Sequence, residues 1–169
     1  IADPMSVPEK NQSYFTEKLW YLPETRLCFS PPASDIAQDL STLPALKNGF
    51  TTFGCFQSLS KLNDTMLKHW ATVLNNCPNS KLLIKNKQIA NLSVKAELLE
   101  RLNTLGIKTE SLILEEGSPR AQYLEAYSKV DFMLDTFPYP GGTTTCEALW
   151  MGVPTLTLAG NTLLERQGA

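Results

Sequence analysis

One segment of the chain gathers residue types suited to holding an anion: Asp135-Thr136-Phe137-Pro138-Tyr139-Pro140-Gly141-Gly142-Thr143-Thr144-Thr145-Cys146-Glu147. An apolar run precedes it and a short helical pattern follows. Gly141 and Gly142 allow the backbone to approach a ligand closely. The first turn of the following helix presents N–H groups without intrahelical partners, where the helix dipole favours negative charge. Thr143, Thr144 and Thr145 add hydroxyl donors. Such a loop suits a phosphate or diphosphate. It is neither a Walker A loop, because Gly-Lys-Ser/Thr is missing, nor G-x-G-x-x-G. The same residues admit a plainer reading: Thr144-x-x-Glu147 has the form of a capping box, and prolines and glycines suit any loop. Glu147 could also accept both hydrogen bonds of a ribose diol.

Other candidates are weaker alone. Lys61 lies just past a short strand, and a lysine at the carboxyl end of a parallel strand can reach a phosphate; a solvated loop lysine is the bland alternative. Arg120 and Tyr123 could flank a base, or Tyr123 could pack in the core. His69, the sole histidine, falls beside the apolar stripe of a helix and reads as structural. Asp131 and Asp135 flank a strand, but nothing fixes their separation as glycosidase chemistry requires. Cys28, Cys55, Cys77 and Cys146 include no C-x-x-C, so a zinc site is hard to assemble; free thiols in a reducing, cytoplasmic setting are expected.

The elements that position these residues alternate. Thr51–Phe56 is rich in strand formers. Met66, Trp70, Val73, Leu74 and Cys77 share one helix face, which Pro78 and Asn79 end. Residues 81–85 form a second strand. Val94, Leu98, Leu102 and Leu105 mark a second helix, closed by Gly106. Residues 111–114 form a third strand. Ser118-Pro119 reads as an N-cap with proline at the first helical position. Residues 130–135 form a fourth strand, 144–151 a helix and 154–158 a fifth strand. Alternation implies right-handed crossovers and an α/β fold, a parallel sheet with helices on both faces. The second, fourth and fifth strands read as continuous apolar runs, as buried parallel strands do. Residues 1–49, with six prolines, read as an extended lead-in; a short helix is expected around Tyr14–Tyr21, and Trp20, Tyr21, Leu22, Leu27 and Phe29 call for a surface to bury on.

The chain has 169 residues, 43% of them apolar, and a net charge of -2. That is enough for one domain with a core. The charge argues against nucleic acid as the main partner, and no apolar run is long enough to cross a membrane. The chain opens on Ile1, and its last residues read as a helix just begun, so a piece of a longer protein is expected.

Phe53-Gly54-Cys55-Phe56-Gln57-Ser58-Leu59-Ser60-Lys61-Leu62, Leu82-Leu83-Ile84-Lys85, Val130 to Thr136 and Thr143-Thr144-Thr145-Cys146-Glu147-Ala148-Leu149-Trp150-Met151-Gly152-Val153-Pro154 together resemble the O-linked N-acetylglucosamine transferase and SPINDLY family. The resemblance implies one Rossmann-like half of a GT-B fold, residues 50–169, preceded by the linker 1–49. The first half and the tetratricopeptide repeats of the parent protein would lie outside the chain. It implies a UDP-sugar, most simply UDP-N-acetylglucosamine, as donor, Ser or Thr of proteins as acceptor, and no metal. By position, Lys61 matches the lysine on the donor diphosphate and is the expected catalytic group. Gly142, Thr143 and Thr144 match the helix start that binds the phosphates, and Glu147 the acidic residue on the ribose. Tyr123 stands where a histidine often stacks on the base, Arg120 where a lysine lies beside it, and Ser58 where a polar amide lies near the diphosphate. Leu163-Leu164-Glu165-Arg166 replaces a His-x-Ser-Arg stretch. A non-enzymatic α/β binding module and another GT-B enzyme, such as a nucleotide-sugar epimerase, are the alternatives.

Overall fold

The computed structural model describes residues 1–32 and 42–169. Residues 33–41, part of the expected lead-in, lie outside the described residues. Helix α1 (Pro44–Asn48) leads into β1 (Thr51–Cys55), followed by α2 (Asp64–Asn76), β2 (Ser80–Lys85), α3 (Leu92–Thr104), β3 (Leu112–Glu115), α4 (Arg120–Glu125), β4 (Phe132–Leu134), α5 (Thr143–Trp150) and β5 (Thr155–Leu156). All pairings are parallel, in the order β3-β2-β1-β4-β5. The expected α/β sheet is therefore present. The chain winds outward from β1 through β2 and β3, then returns to β1's other edge with β4. The carboxyl ends of β1 and β4 thus form a topological switch point, the place where such sheets bind ligands.

Strand periodicity assigns the core to two faces. Leu82 and Ile84 pack with Met66, Trp70, Leu98 and Leu102 of α2 and α3. Leu83, between them, points the other way, toward Leu124, Tyr127, Met133 and Ala148. Gly106 ends α3 in the left-handed region, φ 93°, where Ile107 N–H reaches Leu102 O at 3.0 Å, a closure glycine adopts without a Cβ clash.

Four expectations change. A 3₁₀ turn at Glu9–Tyr14 replaces the helix expected over Tyr14–Tyr21, because Phe15 is already extended and Ala2 pairs with Tyr21 in an isolated bridge. Of the lead-in's apolar residues, Phe29 lies 6.4 Å from Trp150, centroid to centroid, whereas Trp20 is 74% exposed. The Pro119 carbonyl accepts from Tyr123 N–H at 2.9 Å, so Pro119 caps α4 and helix begins at Arg120; the Ser118 hydroxyl caps nothing and is buried unpartnered. The fifth strand lies at the sheet edge with Leu156 61% exposed, so it is not buried on both faces.

Asp131 is a fastener. Its buried carboxylate accepts from Ala45 N–H at 2.9 Å and Thr52 N–H at 2.8 Å, tying α1 and β1 to the start of β4. Asp131→Ala leaves the Thr52 donor unpaired inside the fold and should cost roughly 1–3 kcal/mol, seen as a lower midpoint in chemical denaturation.

Candidate functional site

The site is assembled at the switch point. The loop after β4 turns back upon Asp135, which is 7% exposed. Asp135 Oδ1 accepts from Thr136 N–H at 2.8 Å, Gly141 N–H at 2.7 Å and Gln57 Nε2 at 3.4 Å, and Oδ2 from the Thr157 hydroxyl at 2.9 Å. Burial pushes its pKa above the ordinary carboxylate value, and the hydrogen bonds from Gly141, Thr157 and Thr136 and the charge of Lys61 oppose that rise. Gly141 has no side chain because none fits: a Cβ there would overlap the Gln57 amide and the hydroxyls of Thr144 and Thr145.

Lys61 projects from the turn after β1 into this loop. Its Nζ donates to Gln57 Oε1 and Pro140 O, both at 3.2 Å, and lies 3.9 Å from the centre of the Tyr139 ring. Burial lowers its pKa and the carboxylate of Asp135 works against that fall. Gln57 Nε2 donates to the Thr144 hydroxyl at 2.5 Å. Gln57 therefore links Lys61 to Thr144, and Thr143 is exposed at the first position of α5.

Glu147 lies one turn further along α5, 3% exposed. Its carboxylate accepts from Arg120 Nη1 at 2.5 Å, the Tyr123 hydroxyl at 3.1 Å and the Tyr127 hydroxyl at 3.4 Å. The capping-box reading falls: Gly142 is the N-cap, no side chain caps α5, and Glu147 faces α4 rather than its own helix start. Burial first, with the Glu147 charge adding to it, raises the phenol pKa of Tyr123, so it donates at any physiological pH. The Tyr123 ring stands 5.7 Å from Phe56 and 5.8 Å from Tyr127. The ring also borders a cavity of about 350 Å³ at the carboxyl ends of β1, β2 and β3, lined further by Ser58, Lys85, Asn86, Gln88 and Ser118. Ser58 is exposed, with its hydroxyl 2.9 Å from that of Ser60. Tyr123 thus links the buried Glu147 carboxylate to the open cavity.

A larger groove, about 460 Å³, runs between α2 and β5. Its walls are mostly carbon, including Met66, Trp70, Leu134 and Leu158, and Asp135 and Thr157 border it as well; Lys61 and Thr143 do not. His69 lines this groove and is exposed. Among the described residues no three His, Cys, Asp or Glu side chains are grouped to hold a metal ion.

Residues 40–169 match the profile of Glycosyl transferase family 41. The chain belongs to that family. It is 40% identical over 162 residues to the probable UDP-N-acetylglucosamine–peptide N-acetylglucosaminyltransferase SPINDLY of Solanum lycopersicum, covering 95% of this chain and 17% of that protein. To the SPINDLY protein of Arabidopsis thaliana it is again 40% identical, covering 95% and 18%. To the SEC protein of Arabidopsis thaliana it is 26% identical, covering 94% and 16%. In structure it is similar to a K341M mutant of the Thermobaculum terrenum O-GlcNAc transferase, with a TM-score of 0.87 and 32% identity, covering 98% of this chain and 31% of that one. The expected resemblance and the Rossmann-like half of a GT-B fold are thereby borne out. The chain spans less than a fifth of the length of these curated relatives.

Two groups escaped the reading of the sequence. Asp135 heads the anion-suited segment, and its position just ahead of a Gly-Gly loop is the available sign that it binds amides. Gln57 carried no such sign beyond its place at a strand end. Asp135→Ala should destabilise the chain by at least about 1–3 kcal/mol, because buried donors lose their acceptor. Between pH 3.8 and its raised value, Asp135 binds more proton in the fold than in the unfolded chain. Its contribution to stability therefore falls as pH rises through that window. Asp135→Asn should flatten that portion of the stability–pH curve measured by denaturation.

Proposed function

We propose that the chain is the donor-binding part of a protein O-glycosyltransferase, holding a UDP-sugar, most simply UDP-N-acetylglucosamine. The observation that carries this reading is Lys61 held at the switch point by Pro140 O and the Gln57 amide, the same amide that bonds Thr144 at the start of α5. The diphosphate would lie between the Lys61 ammonium and the free N–H groups of Gly142, Thr143 and Thr144. Glu147 would accept the ribose hydroxyls, with Arg120, 54% exposed, moving aside toward solvent. The base would enter the cavity beside Ser58 and Tyr123. Membership of family 41 and the activity for which the SPINDLY relatives are named support the assignment.

The chemistry follows from charge. Departure of the nucleoside diphosphate accumulates negative charge on its β-phosphate. Lys61 and the start of α5 are fixed in advance to stabilise it, so no divalent cation is required. The acceptor, Ser or Thr of a protein, and the groups that activate it would come from the remainder of a longer protein, including its other GT-B half and repeats. The 169-residue chain alone should bind donor without turning it over. Four unpaired cysteines support a reducing, cytoplasmic setting.

UDP titrated into the chain by calorimetry should bind weakly and equally well with excess chelator; absence of binding by a folded sample would favour a non-enzymatic module. Lys61→Ala should weaken UDP by roughly 1.5–3 kcal/mol, the worth of a charged contact, and leave uridine nearly unchanged. Glu147→Gln should weaken UDP and uridine alike, by about tenfold, because an amide offers one acceptor oxygen to a diol.

A further inference from the structure

Gln57 is buried, 7% exposed, between the two groups assigned to the diphosphate. Its carbonyl oxygen takes a hydrogen bond from Lys61 Nζ at 3.2 Å. Its amide nitrogen gives hydrogen bonds to the Thr144 hydroxyl at 2.5 Å and to Asp135 Oδ1 at 3.4 Å. The orientation of the amide is forced: Lys61 has only donors, and an ionised Asp135 only acceptors. Its backbone is held as well, since Asn86 Nδ2 donates to Gln57 O at 3.1 Å. The absent side chain of Gly141 makes the room that the amide fills. No carboxylate or ammonium could make this set of bonds, because neither both donates and accepts.

We propose that Gln57 is a positioning residue that keeps Lys61 and the start of α5 at the separation a nucleoside diphosphate needs. The proposal rests on the donor-site reading above. Without the amide, Lys61 would keep only Pro140 O and the Tyr139 ring, and Thr144 would be free to rotate its hydroxyl. Both diphosphate contacts would then have to be ordered during binding, which weakens it. The ribose contact would be kept, because Glu147, one turn further along α5, is held by Arg120, Tyr123 and Tyr127 and not by Gln57.

Gln57→Met keeps the length and bulk of the side chain and removes both polar ends. In calorimetry on the whole chain, it should weaken UDP by about tenfold and uridine by less than about twofold, with the far-ultraviolet circular dichroism unchanged. Repeated in a Lys61→Ala background, the same change should lose most of its effect, since the two residues act as a unit. Gln57→Glu serves if the methionine variant does not fold. It retains shape and the Lys61 contact, but loses the donor to Thr144 and adds charge beside Asp135, so the same selective loss of UDP is expected. Unchanged or tighter UDP binding in these variants, or equal loss of UDP and uridine, overturns the proposal while leaving the donor site in place. A wild-type chain that binds uridine as well as UDP overturns the donor site and this inference together.

Discussion

A single buried carboxylate organises the carboxyl edge of this sheet. Asp135 draws the loop after β4 into a closed turn through Gly141 N–H, fastens β5 through the Thr157 hydroxyl, and reaches toward the Gln57 amide after β1. A charge buried in this way is costly unless its oxygens are filled, and here both are. The arrangement sets the direction of the Gly141–Thr144 backbone before any ligand arrives. Fixed N–H groups stabilise charge without reorganising, which is the usual requirement for electrostatic catalysis.

The neighbouring cluster works by the opposite logic. Glu147 is saturated by an arginine and two phenols, yet its arginine partner faces solvent. Only the guanidinium end of this pair is exposed; the carboxylate is buried, so Arg120 can leave it only when other donors take its place. On the proposed reading sugar hydroxyls are those donors, whereas losing either tyrosine would open the core around Phe56 and Leu124. On the proposed reading, a fixed phosphate-binding turn thus stands next to a ribose acceptor whose arginine can be exchanged.

Much of this architecture was legible in the residues. Hydrophobic periodicity places α2, β2 and α3 almost to the residue, because their apolar faces are long and ended by Asn79 and Gly106. The short elements were less legible. β4 and β5 are paired over few residues, and their ends are decided by side chains that sequence distance hides, such as Asp131 reaching Thr52. The phosphate-suited loop was visible from its glycines and threonines. Gln57 was not, because an amide has no pattern of its own; its meaning comes from facing a donor on one side and acceptors on the other. Ser118 and Glu147 show the limit of local rules, since both fit capping patterns and neither caps a helix in the fold.

The strand order also governs how the chain comes together in time. β1 pairs with β2 across one short crossover, and β2 with β3 across another. The bonds that join β1 to β4 bridge 79 residues. Loop closure of that length must be overcome before contacts reward it, so the first three strands and their two helices can cohere before β4 docks. On a ribosome, Lys61 would then emerge and fold well ahead of Asp135 and the α5 helix start. The site is split across elements 79 residues apart, and its formation requires β4 to have docked on β1.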